Sequence, residues 1–175
     1  MKVDIAVIGA MEPEVLGLIS EMSERTVECV SGIEVNLGKI YNKTVAVARC
    51  GIGKVFAALC AQTMIIKYDP CLIINSGVAG GLSSELKICD IAIASALVQH
   101  DMDTSALGDP KGLISGINIV ELPCDESNAL LLKKCAENEG IHVVSGIIAS
   151  GDRFISEDSD KAFIRDTFGA IACEM

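Results

Sequence analysis

Two acidic residues follow the first glycine-rich turn of the sequence and could act as a general base. Glu12 and Glu14 come directly after the stretch "IGAM", which closes an apolar run. A carboxylate placed beside a water molecule can accept its proton while the water attacks an electrophilic carbon. Glutamates are also common in the first turn of a helix, because they interact favourably with the helix dipole. For either residue alone, this structural explanation is the simpler one.

Two further glycine-rich turns follow apolar runs. "CGIGK" comes after Arg49 and ends in Lys54, and these two cations could bind an anion. "NSGVAGG" contains no basic residue. In an open α/β sheet, the turns at the carboxyl ends of the strands gather around one crevice. The three turns together therefore predict a shared pocket.

Neither common nucleotide-binding motif fits these turns. A P-loop requires GxxxxGK followed by Ser or Thr, but around "ARCGIGKVF" the first glycine is replaced by Ala48 and the hydroxyl residue by Val55. The dinucleotide pattern GxGxxG fails because Phe56 stands at the third glycine. A cluster of glycines at a strand-to-helix turn often reflects only tight backbone geometry.

Eight cysteines occur without a CxxC pair, so the usual zinc and redox spacings are absent. Most lie in apolar runs, which predicts small buried hydrophobic residues in a reducing compartment. His100 beside Asp101 is a weak candidate for catalysis. The apolar stretch in "MKVDIAVIGAM" is short for a signal peptide. We expect a cytoplasmic protein with no metal and no cofactor.

The composition disfavours a nucleic-acid or membrane partner. The formal net charge is -10, no basic stripe is visible, and the chain contains no Trp. No apolar run reaches the length needed to cross a bilayer. An acidic chain that is half hydrophobic fits a globular protein that handles a neutral or cationic small molecule.

Apolar runs alternate with helical patterns along the whole chain. The strands predicted are "VDIAVIG", the hairpin "IEVNLGKIYNKTVAVARC", "CLIIN", "DIAIASALVQH", "HVVSGIIAS" and "AIACE". Between them, the helices predicted are "PEVLGLISEM", "GKVFAALCAQTMIIKY", "DESNALLLKKCAENEG" and "SDKAFIRDTF". Continuously apolar strands indicate a sheet that is covered on both faces. We predict one α/β domain over residues 1–175, with a mixed central sheet flanked by helices on both faces. Residues 101–116 form its longest irregular segment.

Six motifs in this order resemble one family. They are "IGAMEPEV", "CGIGKV", "IINSGVAGGL", "HDMD", "SGDRFI" and "ACEM", and the resemblance covers residues 2–175. The chain resembles the 5′-methylthioadenosine/S-adenosylhomocysteine nucleosidases of the nucleoside phosphorylase superfamily. The resemblance implies hydrolysis of the N-glycosidic bond of these nucleosides, release of adenine and a role in methionine salvage. It also implies a small-molecule nucleoside as the partner, and a homodimer.

The resemblance implies a role for individual residues. Glu14 matches the carboxylate that activates water. Phe154 would stack on adenine, the backbone of Ile155 would read the purine edge, and Met175 would pack under the ribose. Thr104 and Leu107 lie in the segment that reaches across a dimer to the alkylthio pocket, although an ordinary surface loop is the alternative. The remaining positions implied to contact substrate are Met11, Ile52, Val78, Ala79 and Gly80.

Two other functions stay open on the sequence alone. A nucleoside phosphorylase of the same fold would use phosphate, but related phosphorylases carry an arginine where this chain has Asn75. Without a guanidinium to offset its charge, phosphate has little reason to bind. The other alternative is a non-catalytic remnant that binds adenine nucleosides.

Family members continue past the "EM" at which this sequence ends. The resemblance places two residues in that continuation: a glutamate that holds the ribose hydroxyls and an aspartate that protonates adenine N7. It also places the last helices and one strand there. We therefore expect a domain incomplete at its C-terminus, with very low activity of residues 1–175 alone. An exposed apolar patch and an open strand edge are expected as well.

Overall fold

The computed structural model describes residues 2–175. The chain divides into two compact units, of which the first ends at Val78 and the second comprises Ala79–Met175. The expectation of one nucleosidase domain over residues 1–175 stays a prediction.

The N-terminal unit is built on a five-stranded mixed sheet. Its elements are β1 (Ile5–Gly9), α1 (Glu12–Ser20), β2 (Ser23–Val30), β3 (Ile33–Ile40), β4 (Lys43–Arg49), α2 (Lys54–Tyr68) and β5 (Leu72–Asn75). The strand order is β2-β3-β4-β1-β5, in which β4, β1 and β5 run parallel. The three strands that precede the glycine-rich turns are therefore neighbours.

The two helices of this unit cover opposite faces of its sheet. Successive residues of a strand point to opposite faces, so Val7 packs with α1 while Ala6 and Ile8 pack with α2. Val15 of α1 lies in the same hydrophobic cluster as Val7. The cluster that contains Ala6 and Ile8 also contains the buried stripe of α2, namely Cys60, Met64 and Tyr68.

The C-terminal unit is built on a second five-stranded mixed sheet. Its elements are β6 (Gly80–Gly81), β7 (Ile91–Gln99), a 3-10 helix (Ser105–Leu107), β8 (Leu122–Pro123), α3 (Glu126–Asn138), β9 (Val143–Ser150), α4 (Asp158–Phe168) and β10 (Ala170–Glu174). The strand order is β6-β10-β9-β7-β8, in which β10, β9 and β7 run parallel. Ile164 and Phe168 of α4 pack into its core. Asp125 is the N-cap of α3, and its carboxylate accepts a hydrogen bond from the N–H of Asn128 at 2.8 Å.

The predicted mixed α/β fold is confirmed, with two differences. The strands form two sheets of five strands each instead of one. Three strands were not predicted: β6 and β8 have only two residues each, and β2 is charged and mostly exposed. Among the helices of residues 2–175, none has the length and apolar character needed to cross a bilayer.

The prediction of mainly buried cysteines is wrong. All eight cysteines carry thiols outside any disulfide, and three of them are buried: Cys50, Cys60 and Cys173. Four are exposed because an edge strand, two loops and the outer side of α3 carry them: Cys29, Cys71, Cys89 and Cys135. An apolar sequence neighbourhood does not by itself put a small side chain in the core.

Candidate active site

The three glycine-rich turns meet at the carboxyl ends of β4, β1 and β5. Two backbone bonds join the second turn to the first: the N–H of Cys50 donates to the carbonyl of Gly9 at 2.9 Å, and that of Gly51 to Ala10 at 3.1 Å. The third turn is joined by the N–H of Ser76, which donates to the carbonyl of Ile8 at 2.9 Å. The sequence-based inference that these turns gather at one place is confirmed for the N-terminal unit.

Glu14 lies where the three turns meet and is held by backbone donors. Its Oε2 accepts a hydrogen bond from the N–H of Met11 at 2.8 Å, the reciprocal arrangement of a helix capping box. Its Oε1 accepts a bond from the N–H of Val78 at 3.0 Å, across 64 positions of sequence. Both oxygens are thus fixed in direction by N–H groups that carry no formal charge.

Gly77 leaves the space that the Glu14 carboxylate occupies. A Cβ on Gly77 would lie 2.8 Å from Oε1, 3.1 Å from Cδ and 3.3 Å from Oε2 of Glu14. Gly9 is equally crowded, because its Cβ would lie 2.7 Å from Cγ1 of Val15. Two of the three turns therefore need glycine for close approach around the carboxylate.

The charged candidates near the site differ in their surroundings. Glu12 is exposed and lies 3.8 Å from Nη1 of Arg49, so it forms a surface ion pair at the start of α1.

The second turn has positive φ angles at Gly51 and Gly53, which favours glycine at both positions. Burial raises the pKa of the Cys60 thiol on α2 to about 11, and the neighbouring Cys50 adds to the effect.

The predicted substrate contacts of the N-terminal unit lie on these same turns. Met11 is the N-cap of α1 and is half-buried. Ile52 is 50% exposed between the two glycines of the second turn, and Val78 is 70% exposed. Met11, Glu14 and Val78 are brought together through the Glu14 carboxylate.

The other predicted contacts lie in the C-terminal unit. Ala79 is exposed, and Gly80 in β6 pairs with Cys173 of β10. Met175 follows β10, at 36% exposure. Burial raises the pKa of the Cys173 thiol to about 11, with smaller contributions from the charges of Glu174 and Asp101.

Phe154 and Ile155 follow β9, the strand beside β10. Phe154 is 84% exposed, whereas Ile155 packs against the core of the unit. The positions predicted for the nucleobase and the ribose thus follow two neighbouring parallel strands.

The segment after β7 contains the residues assigned to the alkylthio pocket. Thr104 donates a hydrogen bond from its hydroxyl to Oδ2 of Asp109 at 2.8 Å, and Leu107 is 83% exposed. Hydrogen bonds from Ser105 and the nearby Lys111 hold the pKa of Asp103 at about 2.

Several features of the site could not be assigned from the sequence. Gly77 was recognised only as part of a glycine-rich turn, because its contact with Glu14 depends on the order of strands in the sheet. His100 is buried above Gly151, where a Cβ would lie 2.2 Å from its Nε2. Among residues 2–175, no group of three or more His, Cys, Asp or Glu side chains could hold a metal ion.

Comparison with known proteins places the chain in one superfamily. The phosphorylase superfamily matches residues 4–175. The chain is 37% identical over 172 residues to the 5′-methylthioadenosine/S-adenosylhomocysteine nucleosidase of Shewanella halifaxensis, a match that covers 98% of this chain and 75% of that protein.

Two solved structures from Helicobacter pylori are similar over nearly the whole chain. One is a mutant of the nucleosidase with 5′-methylthioadenosine in its active site; the TM-score is 0.94 at 35% identity, over 100% of this chain and 76% of that one. The other is a futalosine hydrolase, with a TM-score of 0.91 at 35% identity, over 98% of this chain and 74% of that one. The chain therefore belongs to the phosphorylase superfamily and, within it, to the family of the 5′-methylthioadenosine/S-adenosylhomocysteine nucleosidases.

Proposed function

We propose that the protein hydrolyses the N-glycosidic bond of 5′-methylthioadenosine and S-adenosylhomocysteine and releases adenine. The observation that carries this proposal is the Glu14 carboxylate, which two backbone N–H groups hold at 2.8 and 3.0 Å where three turns meet. The relatives named above support the substrate class.

Glu14 acts as the general base. It accepts a proton from the water that attacks the anomeric carbon, while the bond to adenine breaks. The electron pair of that bond stays on adenine, which takes up a proton and leaves as the neutral base. A positioned base of this kind contributes roughly 10²–10⁴-fold to the rate. The sugar develops positive charge in an oxocarbenium-like transition state, which a nearby carboxylate also stabilises.

The resemblance to the nucleosidases also assigns substrate contacts within each unit. In the N-terminal unit these are Met11, Ile52 and Val78, which lie on the turns that hold Glu14. On the C-terminal unit, Phe154 stacks on adenine and the backbone of Ile155 reads its edge. The contacts assigned to the sugar side are Ala79, Gly80 and Met175.

Water, rather than phosphate, is the attacking group. At the end of β5 this chain has Asn75, an uncharged residue that cannot offset a phosphate charge as a guanidinium would. Of the two cations at the second turn, Arg49 lies 3.8 Å from the carboxylate of Glu12. Adenine release should therefore proceed at the same rate with and without phosphate.

The test compares two glutamates of the same helical turn. Glu14→Gln should lower kcat at least 100-fold, because the amide cannot accept the proton. Glu12→Gln is the matched control and should change kcat less than threefold, since Glu12 forms only an exposed ion pair. Adenine release is measured for the 175-residue chain and for a chimaera that adds the C-terminal segment of the Shewanella relative. If Glu14→Gln keeps more than a tenth of the chimaera's activity, the proposed base is wrong.

Futalosine is a second candidate substrate. The chain is 35% identical to the futalosine hydrolase and also 35% identical to the nucleosidase that was solved with 5′-methylthioadenosine. The two substrates are separated by measuring kcat/KM for each under the same conditions. A ratio above ten in favour of futalosine would overturn the assignment to methylthioadenosine.

We also propose that the protein is a homodimer, with α2 at the interface. Beside its buried stripe, this helix exposes five large apolar side chains: Val55, Phe56, Leu59, Ile65 and Ile66. A set of exposed apolar side chains on one surface helix is typical of an interface. Thr104 and Leu107 are assigned to the partner's alkylthio pocket, which accounts for an exposed Leu107.

The dimer is tested with two equally exposed leucines. Leu59 on α2 is 57% exposed and Leu131 on α3 is 58% exposed. Leu59→Glu should convert the dimer into a monomer in sedimentation velocity, whereas Leu131→Glu should leave it intact. If Leu131→Glu dissociates the dimer and Leu59→Glu does not, the interface lies on α3 instead of α2.

A cytoplasmic location is proposed from the cysteines. All eight are thiols and four of them are exposed, which is typical of proteins kept in a reducing compartment.

A further inference from the structure

The loop that follows β9, residues 151–155, starts between two neighbouring strand ends. The N–H of Gly151 donates to the carbonyl of Glu174 on β10 at 3.3 Å. On the other side, the N–H of His100, just after β7, donates to the carbonyl of Ser150 at 3.0 Å. The base of the loop is thereby fixed to both flanking strands.

The imidazole of His100 lies directly against the first residue of the loop. His100 is only 8% exposed, and a Cβ on Gly151 would lie 2.2 Å from its Nε2 and 2.6 Å from its Cε1. Both distances are far below an ordinary van der Waals contact. Any side chain at position 151 would displace either the ring or the loop.

Asp101 holds the next residue of the same loop. Its Oδ2 accepts a hydrogen bond from the N–H of Asp152 at 2.8 Å. Further along, Arg153 forms an ion pair with Asp160 of α4 at 2.9 Å, and Ile155 packs into the core. Phe154 projects outward, at 84% exposure.

We infer that His100 and Asp101 are positioning residues that fix the loop 151–155 and thereby present Phe154 and the backbone of Ile155 to the nucleobase. The inference rests on the proposed function for its ligand, adenine. On this inference, His100 and Asp101 do not transfer protons. The ring of His100 fills the space above Gly151, and the carboxylate of Asp101 holds the amide of Asp152.

The first test measures the loop itself, by NMR-detected amide exchange. Asp101→Ala should speed exchange of the Asp152 amide about tenfold, because a hydrogen bond to a charged group is lost. Asp101→Asn keeps an acceptor oxygen and should stay near the wild-type rate. Asp158→Ala, an exposed change at the start of α4, is the control for general destabilisation.

A second pair of variants tests the steric contact. Gly151→Ala should speed exchange across the loop, whereas Gly151→Ala combined with His100→Ala should bring exchange back towards wild type, since the methyl group then has room. If the double variant exchanges as fast as Gly151→Ala, or if Asp101→Ala leaves Asp152 protected, the inference is wrong.

The ligand measurement separates this inference from the proposed function. Asp101→Ala should weaken binding of 5′-methylthioadenosine at least fivefold by calorimetry, and should raise KM more than it lowers kcat. If the wild-type chain and the chimaera neither bind this nucleoside nor release adenine, the proposed function fails, while the exchange rates still decide whether His100 and Asp101 fix the loop.

Discussion

Replacing Gly77 with alanine should disable the base without unfolding the protein. The new Cβ would lie 2.8 Å from Oε1 of Glu14, roughly half an ångström closer than an ordinary contact allows. Gly77 is not among the glycines with positive φ, so alanine can adopt its backbone conformation. The carboxylate of Glu14 must move, and it loses the bond to the N–H of Val78.

The size of the effect follows from these contacts. A hydrogen bond to a charged group contributes about 1.5–3 kcal/mol, with the lower end expected because Val78 is exposed. A reacting group displaced by about 1 Å can cost about 10²-fold in rate. We expect kcat/KM to fall by between about 10-fold and 100-fold. The free energy of unfolding should change by less than about 1 kcal/mol, since alanine also restricts the unfolded chain.

Adenine release and urea denaturation are measured together on the same variants. Gly17→Ala is the matched control, because a Cβ there meets nothing within 4 Å and the residue lies inside α1. In a protein that already carries Glu14→Gln, Gly77→Ala should lower kcat/KM almost no further, because Gly77→Ala acts by displacing the Glu14 carboxylate. A Gly77→Ala protein that keeps its activity within twofold would refute this reasoning, as would an equal loss in both backgrounds.

Three further predictions concern the core, the thiols and pH. Met64→Ala should lower the free energy of unfolding by about 2–5 kcal/mol in urea, because Met64 is fully buried; a loss below about 1 kcal/mol would contradict the packing. At pH 8, iodoacetamide should label the exposed cysteines within minutes but spare Cys60 and Cys173, whose pKa values burial raises to about 11, until urea unfolds the chain; early labelling of either, by mass spectrometry, would be inconsistent with this. The pKa of Asp103 is lowered to about 2, so its bonds to Ser105 are fully stabilising above the unfolded pKa of about 3.9 and are lost as pH falls through about 2. Amide exchange at Ser105 should show that midpoint, and a midpoint near 4 would argue against it.

Sequence patterns predicted the elements that bury apolar residues. β1, β4 and β9 each contain an apolar run, and each was predicted close to its observed bounds. β2 was missed because it lies at a sheet edge, where pairing with a single neighbour requires no apolar pattern. Periodicity reports burial, so elements that bury little leave no periodic signal.

The base was predicted through a family resemblance, whereas its environment required the structure. A glutamate in a first helical turn is common, and nothing in the residues near Glu14 reveals the N–H of Val78. That contact exists because β5 pairs with β1 and brings the third turn beside the first. Glu14 can occupy its position only because residue 77 is glycine, and this dependence cannot be recognised without knowing that β5 pairs with β1.

Glu14 is oriented by the backbone of the fold, which suits a base that must be held in a fixed position. Here the donors within hydrogen-bond distance of the two oxygens are backbone N–H groups, which fix direction without adding a formal charge. Glu12, in the same turn, has an arginine as its neighbour and lies outside this arrangement. One helical turn thus holds two carboxylates in different surroundings, and the one oriented by backbone alone is the one the proposed reaction requires.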